Sequence, residues 1–229
     1  MPTPSPTTFG LLGMLAVHSW TGYELTQQLR RSLRFVWPIS EGHLYREQKR
    51  LVELGWARAE REVANGRNRN RYVITDAAEQ AWAQWFQRAP EEPLIEIEGM
   101  LRLFHGSQAS ADELRASMSE TARSARAMSA ELTGYAEEYL AEGGPLWMLE
   151  HDVGGPGERI EWRGREVYPE RLPVIALVID GTTRLLASLA EFADETATEV
   201  GTWESPTSVE LTRATRARLE AVVARAQGH

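Results

Sequence analysis

Apolar positions recur at three- and four-residue steps along most of the chain, and in one short stretch the spacing turns strand-like. Phe9 to Val17, FGLLGMLAV, is apolar on every side, as a buried helix is, with Thr7 or Thr8 as its cap. Between Tyr23 and Leu33 the apolar Tyr23, Leu25, Leu29 and Leu33 stand against Gln27, Gln28, Arg30 and Arg31, which predicts a second, amphipathic helix. Val36-Trp37-Pro38 ends the connection, because a residue before proline avoids helical geometry. A third helix follows, with Ser40 as N-cap, Glu41 at the positive end of the helix dipole, Leu44, Leu51 and Leu54 inward, and Gly55 as the stop. Two strand-like runs, Trp56 to Val63 and Asn68 to Thr75, flank Asn65-Gly66, a dipeptide that suits a tight hairpin turn. Asp76 can cap a fourth helix, Ala77 to Arg88, with Ala78, Ala81, Trp82, Trp85 and Phe86 on one face, and Pro90 and Pro93 mark a boundary.

Beyond that boundary the pattern is helical. Leu94 to Phe104 predicts a short helix and Ala111 to Ala141 a long amphipathic one, carrying Leu114, Met118, Ala122, Ala125, Met128, Leu132, Tyr135 and Tyr139. Residues 143–173 are irregular, with a small hairpin at Glu158 to Val167. Leu172 to Val200 is another long helix, and Pro206, at an N1 position after Ser205, opens a last one reaching about Gln227. The fold class expected is mainly α with a small β-hairpin, divided into residues 1–89 and 90–229.

Charge sharpens that division. The 229-residue chain carries net charge -8, yet residues 1–88 hold 12 Lys and Arg against 8 Asp and Glu, and residues 89–229 hold 13 against 25. A basic first part inside an acidic protein points to a polyanionic partner for that part. With no cysteine, disulfides and Cys-ligated metal centres are excluded, and the five histidines (His18, His43, His105, His151, His229) have no metal-ligand spacing, so no cofactor is expected. The polar, Pro-rich MPTPSPTT lacks the pattern of a signal peptide, and the best apolar run, Leu172 to Ile179, is too short to span a bilayer. No membrane association and a cytoplasmic location are therefore expected.

Helix, helix, helix, hairpin, helix within about ninety residues is the order of a winged helix-turn-helix, in which one helix enters the DNA major groove and the hairpin wing meets flanking backbone. Residues 40–54 would be the groove helix. At 100° per residue, Gly42, His43, Arg46, Lys49 and Arg50 lie opposite its leucines. His43 and Arg46 are the candidates to read bases, Arg46 through guanine O6 and N7. Lys49 and Arg50 suit phosphate, and Ser40 can give its hydroxyl to a phosphate at the helix mouth. Arg67, Arg69 and Arg71 alternate on one strand face. A two-residue turn sets Glu62 opposite Arg69 and Glu60 opposite Arg71, a pairing that would account for two arginines structurally. Arg67 then ranks first as a wing contact, Arg69 second, and Arg71 is structural.

GYEL at 22–25, SEGHLYREQKRLVELGW at 40–56 and NRYVITDAAEQAW at 70–82 resemble the PadR family of bacterial transcription regulators. LRLFHG at 101–106 and RLPVIALVIDGTTRLLASLAEFADE at 171–195 are similar to the C-terminal helical dimerisation domain of its longer, AphA-like members. The resemblance implies an N-terminal winged helix-turn-helix and a C-terminal helical dimerisation domain, a homodimer on a palindromic operator of double-stranded DNA, and repression as the commoner mode. It also implies that Tyr23 and Tyr45 approach the phosphate backbone, with packing in the core as the other reading of each ring. Two positions depart from the family pattern: Arg46, where a proline is frequent, and Gln48, where an apolar residue is usual. Gln48 falls on the core stripe, so either the helix is rolled or the amide is bonded internally.

Catalysis is not expected: there is no Gly-rich phosphate loop, GxSxG or HExxH, and the paired acids Glu91-Glu92 and Glu137-Glu138 are adjacent rather than convergent. A winged helix that binds protein instead of DNA is the alternative, set against the cations Arg46, Lys49 and Arg50. Trp147, Trp162 and Trp203 could line a pocket for a small aromatic effector, or be ordinary packing.

Overall fold

A computed structural model describes residues 4–64, 67–154, 158–208 and 212–227, without the side chains of residues 64, 67, 165, 212 and 227. The Asn65-Gly66 turn thus lies outside the described residues. The chain forms two compact units, residues 1–93 and 94–229.

The first unit begins with α1, Pro6–Val17. Its cap is Ser5, earlier than the sequence pattern suggests, because Pro6 fits the first helical position, where no N–H is needed. Ser5 and Thr8 form a reciprocal capping box. Trp20–Thr21 is a two-residue strand, β1, that the hydropathy pattern does not reveal. Thr21 also caps α2, Gly22–Leu33, in a second capping box with Glu24. After α3, Glu41–Glu53, Gly55 takes φ +73°, the left-handed conformation that stops the helix. β2, Ala57–Ala64, and β3, Arg67–Ile74, form the ribbon, and β1 completes a three-stranded sheet of order β1-β3-β2. α4, Ala77–Gln87, starts without the expected side-chain bond from Asp76, whose own backbone is already helical (φ -59°, ψ -29°) and so cannot aim the carboxylate back at the first turn.

One core serves this unit. Leu11, Leu12, Leu25, Leu44, Leu51 and Ala78 are fully enclosed, and Phe9 stacks on Trp85 with ring centroids 4.9 Å apart. Phe86, expected on the buried face of α4, is exposed and stacks on Trp82. The core is not wholly apolar. Gln48 is buried, and its Nε2 donates to Gly22 O and to Thr26 Oγ1, both at 2.9 Å. The helix is not rolled, since Leu44 and Leu51 keep their inward positions. Gly22 allows a close approach at this crossing: a Cβ there would lie 2.9 Å from Gln48 Oε1, so the bonded amide would have to shift, and 3.4 Å from the Tyr72 ring.

The second unit is built on two long helices, α6 (Ala111–Leu140) and α8 (Leu172–Val200). Their seam is largely methyl groups: Ala122, Ala125, Ala190, Ala193 and Ala197, with Met118 and Leu186. An ion pair from Arg126 to Asp194 crosses between them. α5, Glu98–Phe104, starts later than expected, leaving Leu94 and Ile95 exposed before it. Within the stretch expected to be irregular, residues 145–150 form a short helix, α7, and the anticipated hairpin is present as β4, Ile160–Trp162, and β5, Arg165–Val167. The last helix, α9, is Thr212–Gln227, later than Pro206, which sits in a turned segment where Ser205 Oγ accepts from Thr207 N at 3.3 Å.

The apolar helical stretch is longer than the run from Leu172 to Ile179 suggests. Within Pro169–Val200 an 18-residue window has mean hydropathy 1.5, enough by length and composition to cross a membrane. Asp180 and Arg184, ion-paired at 3.0 Å, lie in that helix, and its outer face exposes Val174, Leu177, Val178 and Leu185.

Replacing the buried amide tests the polar part of the core. Gln48→Leu leaves the Gly22 carbonyl without its donor and is expected to lower unfolding free energy by about 1–3 kcal/mol, measured by urea denaturation.

Candidate nucleic-acid interface

α3 is divided lengthwise. Leu44, Glu47, Gln48 and Leu51 are buried, so Gly42, Tyr45, Arg46 and Lys49 face solvent, with His43 and Arg50 half-buried between. The mouth of the helix is arranged by Ser40, whose Oγ accepts from His43 N at 3.4 Å. That bond uses a lone pair and leaves the hydroxyl proton for another acceptor. On the outer face, Arg46 Nη2 lies 3.2 Å from His43 Nδ1, a contact within hydrogen-bond range.

The two tyrosines do not pack in the core. Tyr23, in the first turn of α2, is 66% exposed, and Tyr45 is 41% exposed. Tyr45 stands close enough to Tyr72 to influence it. Burial pushes the Tyr72 phenol up, a hydrogen bond with Asn70 opposes this, and Tyr45 adds to the rise. Tyr45 on the outer face of α3 is thus within electrostatic reach of Tyr72 in the ribbon.

In the ribbon the Cα register is the one the sequence predicts: Glu60 faces Arg71, Glu62 faces Arg69, and Ala64 faces Arg67. The side chains pair differently. Arg71 reaches diagonally to Glu62, with Nε donating to Oε2 at 2.7 Å, and its Nη1 donates to Ser19 O at 2.9 Å. Glu60 instead accepts from Arg58 Nε at 2.7 Å. The diagonal wins because Arg71 is drawn toward the base of the ribbon, where Ser19 O and, at 3.9 Å, Glu24 also receive it. Arg69, across from a carboxylate already engaged, is exposed. The side chain of Arg67 lies outside the described residues.

Glu24 joins the ribbon to α2. Burial alone would raise its pKa, but hydrogen bonds from the Thr21 backbone and hydroxyl, with the charges of Arg71 and Arg69, hold it below the ordinary carboxylate value. A lowered folded-state pKa gives stability that is present at neutral pH and lost as acid carries the carboxyl through that value. Arg71 is correspondingly held protonated, chiefly by its bond to Glu62.

Residues 11–84, which contain this whole arrangement, match the model of the Transcriptional regulator PadR-like family. The first unit is a PadR-like domain. Solved structures share the fold over more than this segment. Bacillus subtilis PadR in complex with operator DNA superposes with TM-score 0.62 at 18% identity, covering 84% of this chain and 96% of that one. The smu.1604c protein of Streptococcus mutans UA159 gives 0.63 at 19%, covering 83% and 97%. The Vibrio cholerae virulence activator AphA gives 0.57 at 20%, covering 85% and 98%. No curated protein matches the chain. At these identities the likeness is one of fold: a PadR-like winged helix followed by a helical region.

The PadR-like unit carries the candidate contacts, and the second unit holds a cleft of about 780 Å³ between α6 and α8. Arg126, Glu137, Leu186, Glu191, Asp194 and Glu195 line it, and no tryptophan does. Trp147 instead stacks on His151 at 4.0 Å, and Trp162 is buried with Arg163 over its ring. Among the described residues no group of three or more His, Asp or Glu could hold a metal ion.

Sequence reasoning passed over Glu47 and Ser5, and marked Thr8 only as a cap of the first helix. Glu47 is three residues after Leu44 and four before Leu51, so helical spacing alone marks it as an acid on the core stripe. Its partners, in a Pro-rich N-terminal segment, carry no periodic signal.

The diagonal pair separates two roles within one ribbon. Arg71→Met is expected to cost about 1 kcal/mol of stability after allowance for solvent screening. Glu60→Gln, which loses only an exposed partner, is expected to cost under about 0.5 kcal/mol. Thermal unfolding of both variants checks this.

Proposed function

We propose that this protein is a sequence-specific, double-stranded-DNA-binding transcriptional repressor that acts as a homodimer in the cytoplasm. The observation that carries the reading is the outer face of α3. Arg46, Lys49 and Tyr45 are exposed there, His43 is half-exposed, and the same unit carries an arginine-bearing ribbon with Arg69 exposed. In this proposal His43 and Arg46 meet base edges, and Ser40, Lys49, Arg50, Tyr23 and Tyr45 meet phosphates. Arg67 and Arg69 touch the backbone beside the groove. The complex of Bacillus subtilis PadR with operator DNA supports the same use of the fold here. No catalytic role is proposed.

The homodimer follows from two needs. One groove helix buries too little to bind tightly, and a two-fold pair reads half-sites about 10 bp apart or a multiple of that. The exposed Val174, Val178 and Leu185 recur on one side of α8 and form a face that water disfavours. A second copy is the proposed cover, which also accounts for an apolar helix without placing it in a bilayer. An aromatic effector, suggested by the Bacillus subtilis PadR complex with p-coumaric acid, would enter the second unit. The carboxylates of the α6–α8 cleft favour a neutral or cationic ring over an anionic one.

Titration of the wild-type protein with duplex from the upstream region of its own operon is expected to show affinity falling with salt, at a log–log slope of about -6. Arg46→Ala should cost about 1–3 kcal/mol on the preferred duplex and relax its sequence preference. Loss of all salt-sensitive duplex affinity in the wild type would favour the protein-binding alternative. Val178→Asp with Leu185→Glu should convert dimer to monomer in light scattering and weaken operator binding by at least tenfold, roughly the loss of one half-site's contribution.

A further inference from the structure

Glu47 is a carboxylate in the core of a DNA-binding domain, only 8% exposed. Its surroundings explain how it is tolerated. The capping box of α1 turns two hydroxyls toward it: Ser5 Oγ accepts from Thr8 N and donates to Glu47 Oε2 at 3.2 Å. Thr8 Oγ1 accepts from Ser5 N and donates to the same oxygen. The two hydroxyl oxygens also lie 3.1 Å apart, and both of their contacts to the carboxylate fall on Oε2, which leaves Oε1 to act elsewhere. It lies 4.0 Å from His43 Nε2, one helical turn back on α3. That separation exceeds a direct hydrogen bond, but a negative oxygen at this position favours the imidazole tautomer with its proton on Nε2. Nδ1 then keeps its lone pair, and Arg46 Nη2, 3.2 Å away, is the donor that meets it.

We infer that Glu47 is a positioning residue for sequence recognition, acting from the core through the His43 tautomer to aim Arg46. The inference rests on the reading of α3 as the groove helix, and it explains why an acid lies buried beneath the face that meets DNA. Arg46 has long, flexible side-chain torsions, and a bidentate contact to guanine requires its guanidinium plane to be set. An acceptor on His43 removes part of that freedom before DNA arrives. The relay runs from the start of α1 to the outer face of α3 through four side chains of this chain: Ser5, Thr8, Glu47 and His43.

Glu47→Gln is the decisive variant because it conserves volume and can conserve the clamp. The amide oxygen can accept from both hydroxyls, which places the NH2 toward His43. A donor facing Nε2 favours the other tautomer, with the proton on Nδ1, and that proton repels Arg46. In 15N NMR of the histidine ring, the wild type is expected to show Nε2–H and Glu47→Gln to show Nδ1–H, with unchanged far-UV circular dichroism. On DNA, the ratio of preferred to random duplex affinity should fall about tenfold in Glu47→Gln, within the range for one lost bidentate contact. Random-duplex affinity and the salt slope should not move. Arg46→Ala should lose the same preference, and the double variant should lose no more than either alone.

The inference is overturned if His43 keeps the same tautomer in Glu47→Gln, or if the losses of Glu47→Gln and Arg46→Ala add in full. If Glu47→Gln proves unstable, Thr8→Val with Ser5→Ala, which releases the carboxylate from behind, must shift the same histidine resonances or the relay is refuted. The NMR arm needs no DNA. A wild type that binds no duplex would therefore refute the proposed function while the His43 tautomer still decides whether Glu47 governs that ring.

Discussion

An α-helix that must bury polar groups on its inner side has very few ways to lie. Buried amides and carboxylates cost free energy unless each finds its partners, and those partners sit at fixed points on neighbouring elements. In this protein Gln48 finds Gly22 O and Thr26 Oγ1 on α2, and Glu47 finds Ser5 and Thr8 at the start of α1. An apolar stripe alone tolerates small rolls of a helix, since one methyl contact substitutes for another. Two polar anchors on different neighbours do not tolerate them. The roll of α3 is thereby set, and with it the outward direction of Arg46, Lys49 and Tyr45 on which the proposed recognition depends.

The ribbon is subject to a related constraint. Positive charge gathered on one strand face repels itself unless some of it is neutralised. Arg71 takes that part, held by Glu62, Ser19 O and the nearby Glu24. Its neutralisation at the base leaves Arg69 to project further out. The acidic balance of residues 89–229 works in the same direction, since its net charge opposes the approach of that part to a polyanion.

Much of this was legible in the sequence, for identifiable reasons. The helix-helix-helix-ribbon-helix order follows from spacing, from Ser40 and Gly55 as punctuation, and from two strand-like runs around one turn dipeptide. The ribbon register also follows, because a two-residue turn leaves no freedom in pairing. What was not legible depended on tertiary choice. A two-residue strand such as β1 has no periodicity to detect, and it exists only because β3 offers it an edge. The diagonal from Arg71 to Glu62 is selected by Ser19, distant in sequence. The start of α1 shifted to Ser5 because Pro6 made an earlier first turn acceptable, and α9 began after Pro206 rather than at it. At the candidate site, the outer residues of α3 could be named from angular spacing, but the partners of Gln48 and the role of Glu47 required neighbours that spacing does not supply.

Thr21 has two duties: it pairs with Arg71 in the sheet and caps α2 through Glu24. No slack residue separates the ribbon from the first turn of α2, where Tyr23 stands. A displacement of β3 at Arg71 therefore reaches the first turn of α2 through a single residue. In the proposed reading, the ribbon and Tyr23 would then meet a duplex as one coupled element in place of two independent fingers.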